Sequence, residues 1–307
     1  MPPTHPADRL QDAIDRSGSL ACVGLDPRPS LLPPPLAQAA LARHGDTAEA
    51  VADAFLAFNR GLLDAVAGRC AAVKPQVACY EAYGPAGLRC LIDSIAAARA
   101  LGIPVIVDAK RGDIGSTAEH YRQAWVDGAP GLGGAQLAGA GGDWVTVNGY
   151  LGREGVMPFL PATPGGAGVF VLVRTSNPSA AELQDLPCGA ETVMEAMARL
   201  VARWGQGRVG RCGLSDVGAV VGATWPEQAR RLRALMPDTL FLVPGYGAQG
   251  GAAADALAGL RGDGRGVLVN SSRGIIGAWQ SGGDPSRWQE AARAALEAMN
   301  RDLASAR

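Results

Sequence analysis

The sequence lacks the features that mark nucleic-acid and membrane proteins. Its 28 Lys and Arg residues against 29 Asp and Glu residues leave a formal net charge of −1, with no basic arm or stripe. Nucleic acid is not an expected partner, because its binding depends on clustered positive charge. No apolar run reaches the roughly 18 residues of a membrane span, and the N-terminus lacks the pattern of a signal peptide. These absences predict a cytoplasmic protein with no membrane partner.

The sequence also lacks the spacing of a metal site. None of its six cysteines forms a CxxC pair, and its three histidines show no metal-ligand spacing. Cysteines scattered in this way are typical of small buried or surface thiols in a reducing compartment. We therefore expect no bound metal.

Aromatic residues are few, at 5%, and much of the apolar content is Ala, Val and Leu, which favours helices packed around a parallel sheet. Eight short apolar runs without polar alternation are predicted as strands buried on both faces. They are Leu20–Leu25, Ala71–Lys74, Pro104–Ala109, Trp144–Asn148, Val169–Arg174, Val217–Val221, Leu240–Val243 and Gly266–Asn270.

Helix-like segments separate these runs. They are Thr47–Val66, Pro85–Ala100, Ser116–Val126, Ala190–Trp204, Pro226–Leu235 and Pro285–Leu303. Two further segments are predicted as loops: Asp26–Pro35, whose five prolines exclude a helix through its middle, and the glycine-rich Gly128–Gly142, with at most a short helix.

Repeated strand–helix units predict parallel strands joined by right-handed crossovers. Eight units favour closure into a (β/α)8 TIM barrel, which needs about 250 residues. We expect residues 1–307 to form one such domain, and a doubly wound open sheet is the alternative fold.

Charged residues follow the first three predicted strands. The first ends at Asp26, the second at Lys74, and the third leads into Asp108-Ala109-Lys110-Arg111-Gly112-Asp113. Active sites of barrels gather at these C-terminal strand ends. Asp108 and Lys110 are two residues apart on an extended segment, so we expect them to face the same side, with Asp113 on the loop beyond.

A second group of residues follows the last two predicted strands. Strand seven leads into Pro244–Gly251 (PGYGAQGG) and strand eight into Asn270–Gly274 (NSSRG). Loops at these positions often bind phosphate in barrels, where glycines let backbone N–H groups approach the anion and arginine offers a bidentate fork. Gly245–Gly250 also fits GxGxxG, but it comes too late in the chain for a dinucleotide site, and no Walker motif is present.

The sequence resembles the orotidine 5′-phosphate decarboxylase family, in particular its longer bacterial branch. The likeness rests on VGLDP, VKPQ, DAKRGDIGST, TSNP with PGYGAQGG, and NSSRGI, in the expected order from residue 23 to residue 275. DAKRGDIGST is the most specific of them. The sequence departs from the family pattern at Gly149, where proline is usual, and at Ser179, where glycine is usual.

The resemblance implies a homodimeric barrel with shared active sites, no metal and no organic cofactor. It implies that Lys110 protonates C6 of the pyrimidine beside Asp108 and Lys74, and that Asp113 acts in the partner's site. The residues that it implies for substrate binding are Asp26 and Lys74 at the ribose, Thr117 across the dimer, Ser176 at the pyrimidine, and Gln249, Ser272 and Arg273 at the phosphate.

These residue types suit the reaction. Decarboxylation at C6 leaves a carbanion that the ring delocalises poorly, so an ammonium group fixed nearby can stabilise the charge and then deliver a proton. Flanking aspartates keep that lysine protonated. Binding energy from the distant phosphate can close loops over the ring, and Gly245–Gly251 is the candidate lid.

Two other readings stay open on the sequence. One is a metal-dependent sugar-phosphate enzyme on a related barrel, such as a 3-hexulose-6-phosphate synthase, which would use Mg2+ to stabilise an enediolate. The other is a non-catalytic sensor of phosphate ligands on a retained barrel. The intact group of Lys74, Asp108, Lys110 and Asp113 argues against the sensor, because buried charges are costly to keep without use.

Overall fold

The computed structural model describes residues 4–161, 166–247, 250–282 and 284–307. Eight parallel strands form one sheet. Their bounds are β1 Ala21–Leu25, β2 Ala72–Pro75, β3 Ile106–Arg111, β4 Trp144–Val147, β5 Gly168–Arg174, β6 Val217–Val221, β7 Phe241–Val243 and β8 Val267–Ser271. Their spatial order is β2-β1-β8-β7-β6-β5-β4-β3. Each predicted strand is present, shifted by at most two residues at either end.

The two ends of this sheet meet, so the sheet closes. Parallel bridges join Val73 to Val105 and Gln76 to Asp108 between β2 and β3, and the Val73 N–H donates to the Pro104 carbonyl at 2.9 Å. The predicted TIM barrel is confirmed, and the open doubly wound sheet is excluded.

Eight longer helices accompany the barrel in the described ranges. They are α1 Pro6–Ser17, α2 Pro34–His44, α3 Ala48–Val66, α4 Gly84–Ala100, α5 Gly115–Trp125, α6 Val193–Trp204, α7 Pro226–Leu235 and α8 Trp288–Ser305. Shorter helical turns follow several strands, at Val77–Glu81, Arg153–Val156, Ala181–Gln184, Ala253–Ala256 and Arg273–Ile276. No helix in these ranges is both long and apolar enough to cross a membrane.

Three predicted segments need correction. Asp26–Pro35 is not a loop throughout, because Pro29–Leu31 forms a 3-10 turn and α2 begins at Pro34. Gly128–Gly142 contains a short antiparallel hairpin rather than a helix, with Ala129–Pro130 paired to Gln136–Leu137. The helix predicted from Ala190 begins at Val193, since Glu191–Thr192 pairs with Pro187–Cys188 in a second hairpin.

The barrel interior is packed by matching large and small side chains. Trp144 on β4 is fully buried and its ring centroid lies 4.6 Å from that of Phe170 on β5. A Cβ at Gly168 would lie 2.5 Å from the Trp144 ring, so only glycine fits there. Near the N-terminal ends of the strands, α1 contacts the segment before β6, where Asp8 accepts from the Cys212 N–H at 2.8 Å. This packing leaves the opposite end, at the C-terminal ends of the strands, open for a site.

Candidate active site

A cavity of about 690 Å³ opens at the C-terminal ends of the barrel strands. Seven residues predicted from the sequence line it: Asp26, Lys74, Asp108, Lys110, Ser176, Ser272 and Arg273. They lie on or directly after β1, β2, β3 and β8 and in the loop after β5, so closure of the barrel brings together residues up to 247 positions apart in the chain.

Asp108 lies at the centre of the charged side of this cavity, and its side chain is 8% exposed. Its Oδ2 accepts from Lys74 Nζ at 2.5 Å and from Gln76 Nε2 at 3.2 Å. Its Oδ1 accepts from Lys110 Nζ at 2.6 Å and from the Thr146 hydroxyl at 2.8 Å. Both carboxylate oxygens are thus fully engaged, each by one ammonium group and one neutral donor.

The electrostatics of this group favour the charged forms. Burial alone would lower the pKa of Lys74, but the negative charges of Asp108 and Asp26 outweigh it and raise that pKa above its ordinary value. Burial would likewise raise the pKa of Asp108, yet Lys74 and Lys110 hold that pKa well below its usual range. Asp108 and Lys74 are therefore an ion pair at neutral pH.

A bulge in β3 aims Lys110 at the cavity. The pairing with β4 is regular at Val107↔Val145 and resumes only at Arg111↔Val147, so β3 has two extra residues against β4. Lys110 has φ +47°, the only positive φ of a non-glycine residue in the described part of the chain. The prediction that Asp108 and Lys110 share a side assumed the regular alternation of a strand. Because the strand is irregular at Lys110, we attribute the contact between the two side chains to the bulge instead.

Thr146 fills the gap that this bulge leaves in the hydrogen-bond ladder. Its hydroxyl oxygen accepts from the Lys110 N–H at 2.9 Å and donates to Asp108. Sequence reasoning missed Thr146 and also Gln76 as site residues. A signal was present for Thr146, because it is the one polar residue of the β4 sequence WVTV.

Both lysines of the sequence lie in this site. Of the 28 Lys and Arg residues in the sequence, only Lys74 and Lys110 are lysines, and all the others are arginine. Arginine does not give up its proton at physiological pH, whereas lysine can exchange one. The two side chains that can act as ammonium acids therefore both contact Asp108.

Two other predicted site residues lie outside this cavity. Asp113 follows β3 and its Oδ1 accepts from the Ile114 N–H at 2.8 Å, while Thr117 is exposed on the first turn of α5. Neither lines the cavity of its own chain. A second cavity of about 510 Å³ adjoins the first on this side and is lined by Lys110 and Arg111 among others.

The side of the cavity opposite β3 carries the residues predicted for phosphate. Pro244, Gly245 and Tyr246 line it after β7, and Ser272 and Arg273 line it after β8. Arg273 is exposed at the start of the short helix Arg273–Ile276. Gln249, the remaining residue predicted here, lies outside the described residues, as does part of the candidate lid Gly245–Gly251.

Comparison with known proteins agrees with this geometry. The sequence model of the "Orotidine 5'-phosphate decarboxylase / HUMPS family" matches residues 20–282. The chain belongs to this family. A Rhodopirellula baltica protein named orotidine 5′-phosphate decarboxylase is 44% identical over 97% of this chain and 98% of its own. A Haloarcula marismortui protein of the same name is 42% identical over 89% of this chain and 87% of its own.

Solved structures of the decarboxylase family share the fold. A structure of Leishmania donovani OMP decarboxylase matches with a TM-score of 0.74 and 32% identity, covering 99% of this chain and 98% of that one. The structure shows what surrounds Gly149, where the resemblance leads us to expect proline. A Cβ at Gly149 would lie 2.8 Å from both Met197 Sδ and Val171 Cγ1, so a larger residue there would require these neighbours to shift. Ser179 lies exposed in the short turn Pro178–Ala180.

Proposed function

We propose that this protein is an orotidine 5′-phosphate decarboxylase, a carboxy-lyase that converts orotidine 5′-phosphate to UMP and CO2 in pyrimidine biosynthesis. The observation that carries the proposal is the group at the barrel mouth, where Lys74 and Lys110 both contact the buried Asp108. Family membership and the named relatives support the same carboxy-lyase assignment.

In this proposal Lys110 is the proton donor. The C6–carboxylate bond breaks, its electron pair stays on C6, and CO2 leaves. The Lys110 ammonium stabilises this charge and then transfers a proton to C6. Its Nζ is held 2.6 Å from Asp108, and a charge that is already oriented stabilises a developing anion more than freely reorienting water does.

The rest of the cavity orients the nucleotide. Asp26 and Lys74 would bind the ribose hydroxyls, and Ser176 would meet the pyrimidine. The phosphate would be held by Ser272, Arg273 and Gln249. An arginine can donate two parallel hydrogen bonds to a phosphate. Phosphate and reacting carbon would then lie on opposite sides of the cavity, which lets binding energy from the phosphate align the ring.

The contacts of Asp108 favour this chemistry over a metal-dependent aldol reaction on the same fold. A divalent cation such as Mg2+ binds through carboxylate oxygens. Both oxygens of Asp108 already accept from lysine, and a cation would have to displace two ammonium groups. Among the described residues no three His, Cys, Asp or Glu side chains cluster as ligands would.

The test is the loss of orotidine 5′-phosphate absorbance with purified protein in excess EDTA, with the Lys110→Ala protein as the matched control. We expect the wild type to turn over and the variant not to. No turnover by the wild type would contradict the proposal. Activity that disappears on chelation and returns with Mg2+ would contradict a metal-free decarboxylation.

We also propose that two copies of the chain share their active sites. Asp113 and Thr117 lie outside their own cavity, and the second cavity beside Lys110 is open to an approaching segment. A two-fold dimer would insert these residues of one copy into the site of the other. A single domain over residues 1–307 and a cytoplasmic location stay predictions.

A further inference from the structure

The end of β5 holds a buried charge that the proposed chemistry does not use. Arg174 is the last residue of β5, and its side chain is 0% exposed. Its Nη1 lies 3.0 Å from Asp185 Oδ1, and its Nη2 donates to Asp185 Oδ2 at 3.1 Å. A buried guanidinium carries a large desolvation penalty, and an ion pair offsets it only in part, so this arrangement requires another explanation.

The guanidinium also fixes an indole that reaches the cavity wall. Arg174 Cζ lies 4.1 Å from the ring centroid of Trp225, a cation–π contact. Trp225 Nε1 in turn donates to the Thr175 carbonyl at 3.1 Å. Arg174 therefore fixes the backbone of Thr175 through the side chain of Trp225, which lies in the loop after β6.

The carboxylate partner acts on the same residue from the other side. Asp185 directly follows Gln184, the last residue of the short helix Ala181–Gln184. Gln184 Oε1 accepts from the Thr175 N–H at 3.0 Å, and its Nε2 donates to the Thr175 hydroxyl at 2.8 Å. The ion pair between Arg174 and Asp185 thus anchors the short helix whose Gln184 is hydrogen-bonded to Thr175.

Ser176 is consequently fixed in one place. The Gly222 N–H donates to the Arg174 carbonyl at 2.8 Å, and a Cβ at Gly222 would lie only 2.9 Å from Ser176 Cα. Ser176 is therefore pressed against the end of β6 while Thr175 is held by Gln184 and Trp225. Thr175, Ser176 and Asn177 all line the active-site cavity.

We propose that Arg174, through Asp185 and Trp225, is a positioning residue that sets how Ser176 enters the cavity and so governs recognition of the polar edge of the substrate's ring. This inference rests on the proposed function, in which Ser176 meets the pyrimidine. Arg174 itself does not line the cavity, so its effect passes through the segment Thr175–Asn177.

A double-mutant cycle tests this route. Arg174→Met removes the charge and the fork but keeps a long, unbranched apolar side chain, and Ser176→Ala removes the hydroxyl. Each alone is expected to lower kcat/KM about tenfold, and the double variant should lose little more than either, because both act through one contact. Arg174→Met combined with Arg273→Ala is the control, whose losses should multiply. Multiplying losses in Arg174→Met/Ser176→Ala would overturn the proposal.

Hydrogen–deuterium exchange provides a readout that does not need activity. We expect backbone exchange over residues 175–186 to rise in Arg174→Met while exchange in the barrel strands stays at the wild-type level. Asp185→Asn, at a half-exposed position, gives a second variant that should shift exchange in the same segment if Arg174→Met does not fold. Unchanged exchange there, or a uniform rise along the chain, would overturn the positioning role. A wild type without decarboxylase activity would instead contradict the proposed function and leave this measurement valid.

Discussion

Asp108 is a buried carboxylate shared by two ammonium groups, and this sharing connects several residues of the site. The spacing of Asp108 and Lys110 could be recognised in the sequence because both belong to one strand. Gln76 and Thr146 could not be assigned in the same way, since they reach Asp108 from the neighbouring strands β2 and β4. Which side chains meet across adjacent strands depends on register, and the bulge in β3 changes that register locally.

Replacing Lys110 should separate chemistry from stability. Lys110 is 46% exposed, so Lys110→Ala should melt near the wild-type temperature, while kcat should fall by at least about 10³-fold if the residue supplies both charge and proton. Turnover measured by absorbance, together with thermal melting, checks both halves.

Lys110→Arg is the matched variant for this prediction. It keeps the positive charge but cannot release a proton near neutral pH, so we expect it to be nearly as inactive as Lys110→Ala. Near-wild-type turnover in Lys110→Ala would refute the assignment of Lys110. High activity in Lys110→Arg alone would show that charge suffices without proton transfer.

The lowered pKa of Asp108 predicts an acid-dependent part of the stability. A carboxyl whose pKa is lower in the folded state contributes stability above its unfolded pKa of about 3.9, and this contribution disappears as pH falls through the folded pKa. Asp108→Asn leaves two ammonium groups near an uncharged side chain, so the free energy of unfolding should fall by about 3–5 kcal/mol at pH 6. The difference from the wild type should narrow below about pH 4, as followed by urea denaturation from pH 6 to pH 3. A difference that stays constant over this range would mean that Asp108 has an ordinary pKa.

At the scale of elements, the strands were predictable and some of the helices were not. The barrel strands are continuous apolar runs buried on both faces, a pattern that few other structures produce. Helix α2 was not predicted because Pro33, Pro34 and Pro35 suggest a loop, yet proline is well suited to the first turn, where its missing N–H is not needed. Helix α1 precedes the first strand and so lies outside the strand–helix repeat from which the helices were predicted.

The end of β6 should be as important to the site as the charged strands. Because a Cβ at Gly222 would lie 2.9 Å from Ser176 Cα, Gly222→Ala should displace the Thr175–Asn177 segment. We expect a loss of about 1–3 kcal/mol in the free energy of unfolding and a fall in kcat/KM. Gly262→Ala is the matched control, since a Cβ there meets nothing within 4 Å. Equal effects of the two substitutions would show that Ser176 tolerates the displacement.

At the scale of the whole molecule, closure of the barrel followed from the count of strand–helix units, and the location of the site followed from closure. The relation between two copies of the chain, by contrast, is implied only by the family resemblance and not by the residue pattern itself. The residues at issue, Asp113 and Thr117, lie in contact with solvent in a single copy, so their role depends on a partner that no pattern within one chain describes.

Complementation tests whether the sites are shared. Lys110→Ala chains mixed with Asp113→Ala chains form mixed dimers in which one site carries both lesions and the other carries neither. Random exchange makes about half the dimers mixed, each with one intact site of two, so about a quarter of wild-type activity should return by the symmetry of the pair. If mass measurements confirm exchange and no activity returns, Asp113 acts within its own subunit.

The scarcity of lysine makes the active site chemically addressable without mutation. Lys74 is 6% exposed and Lys110 is 46% exposed, so an amine-reactive reagent applied to the folded chain should modify Lys110 rather than Lys74. Reductive methylation with a carbon-13 reagent would place a spectroscopic probe beside Asp108 without any mutation.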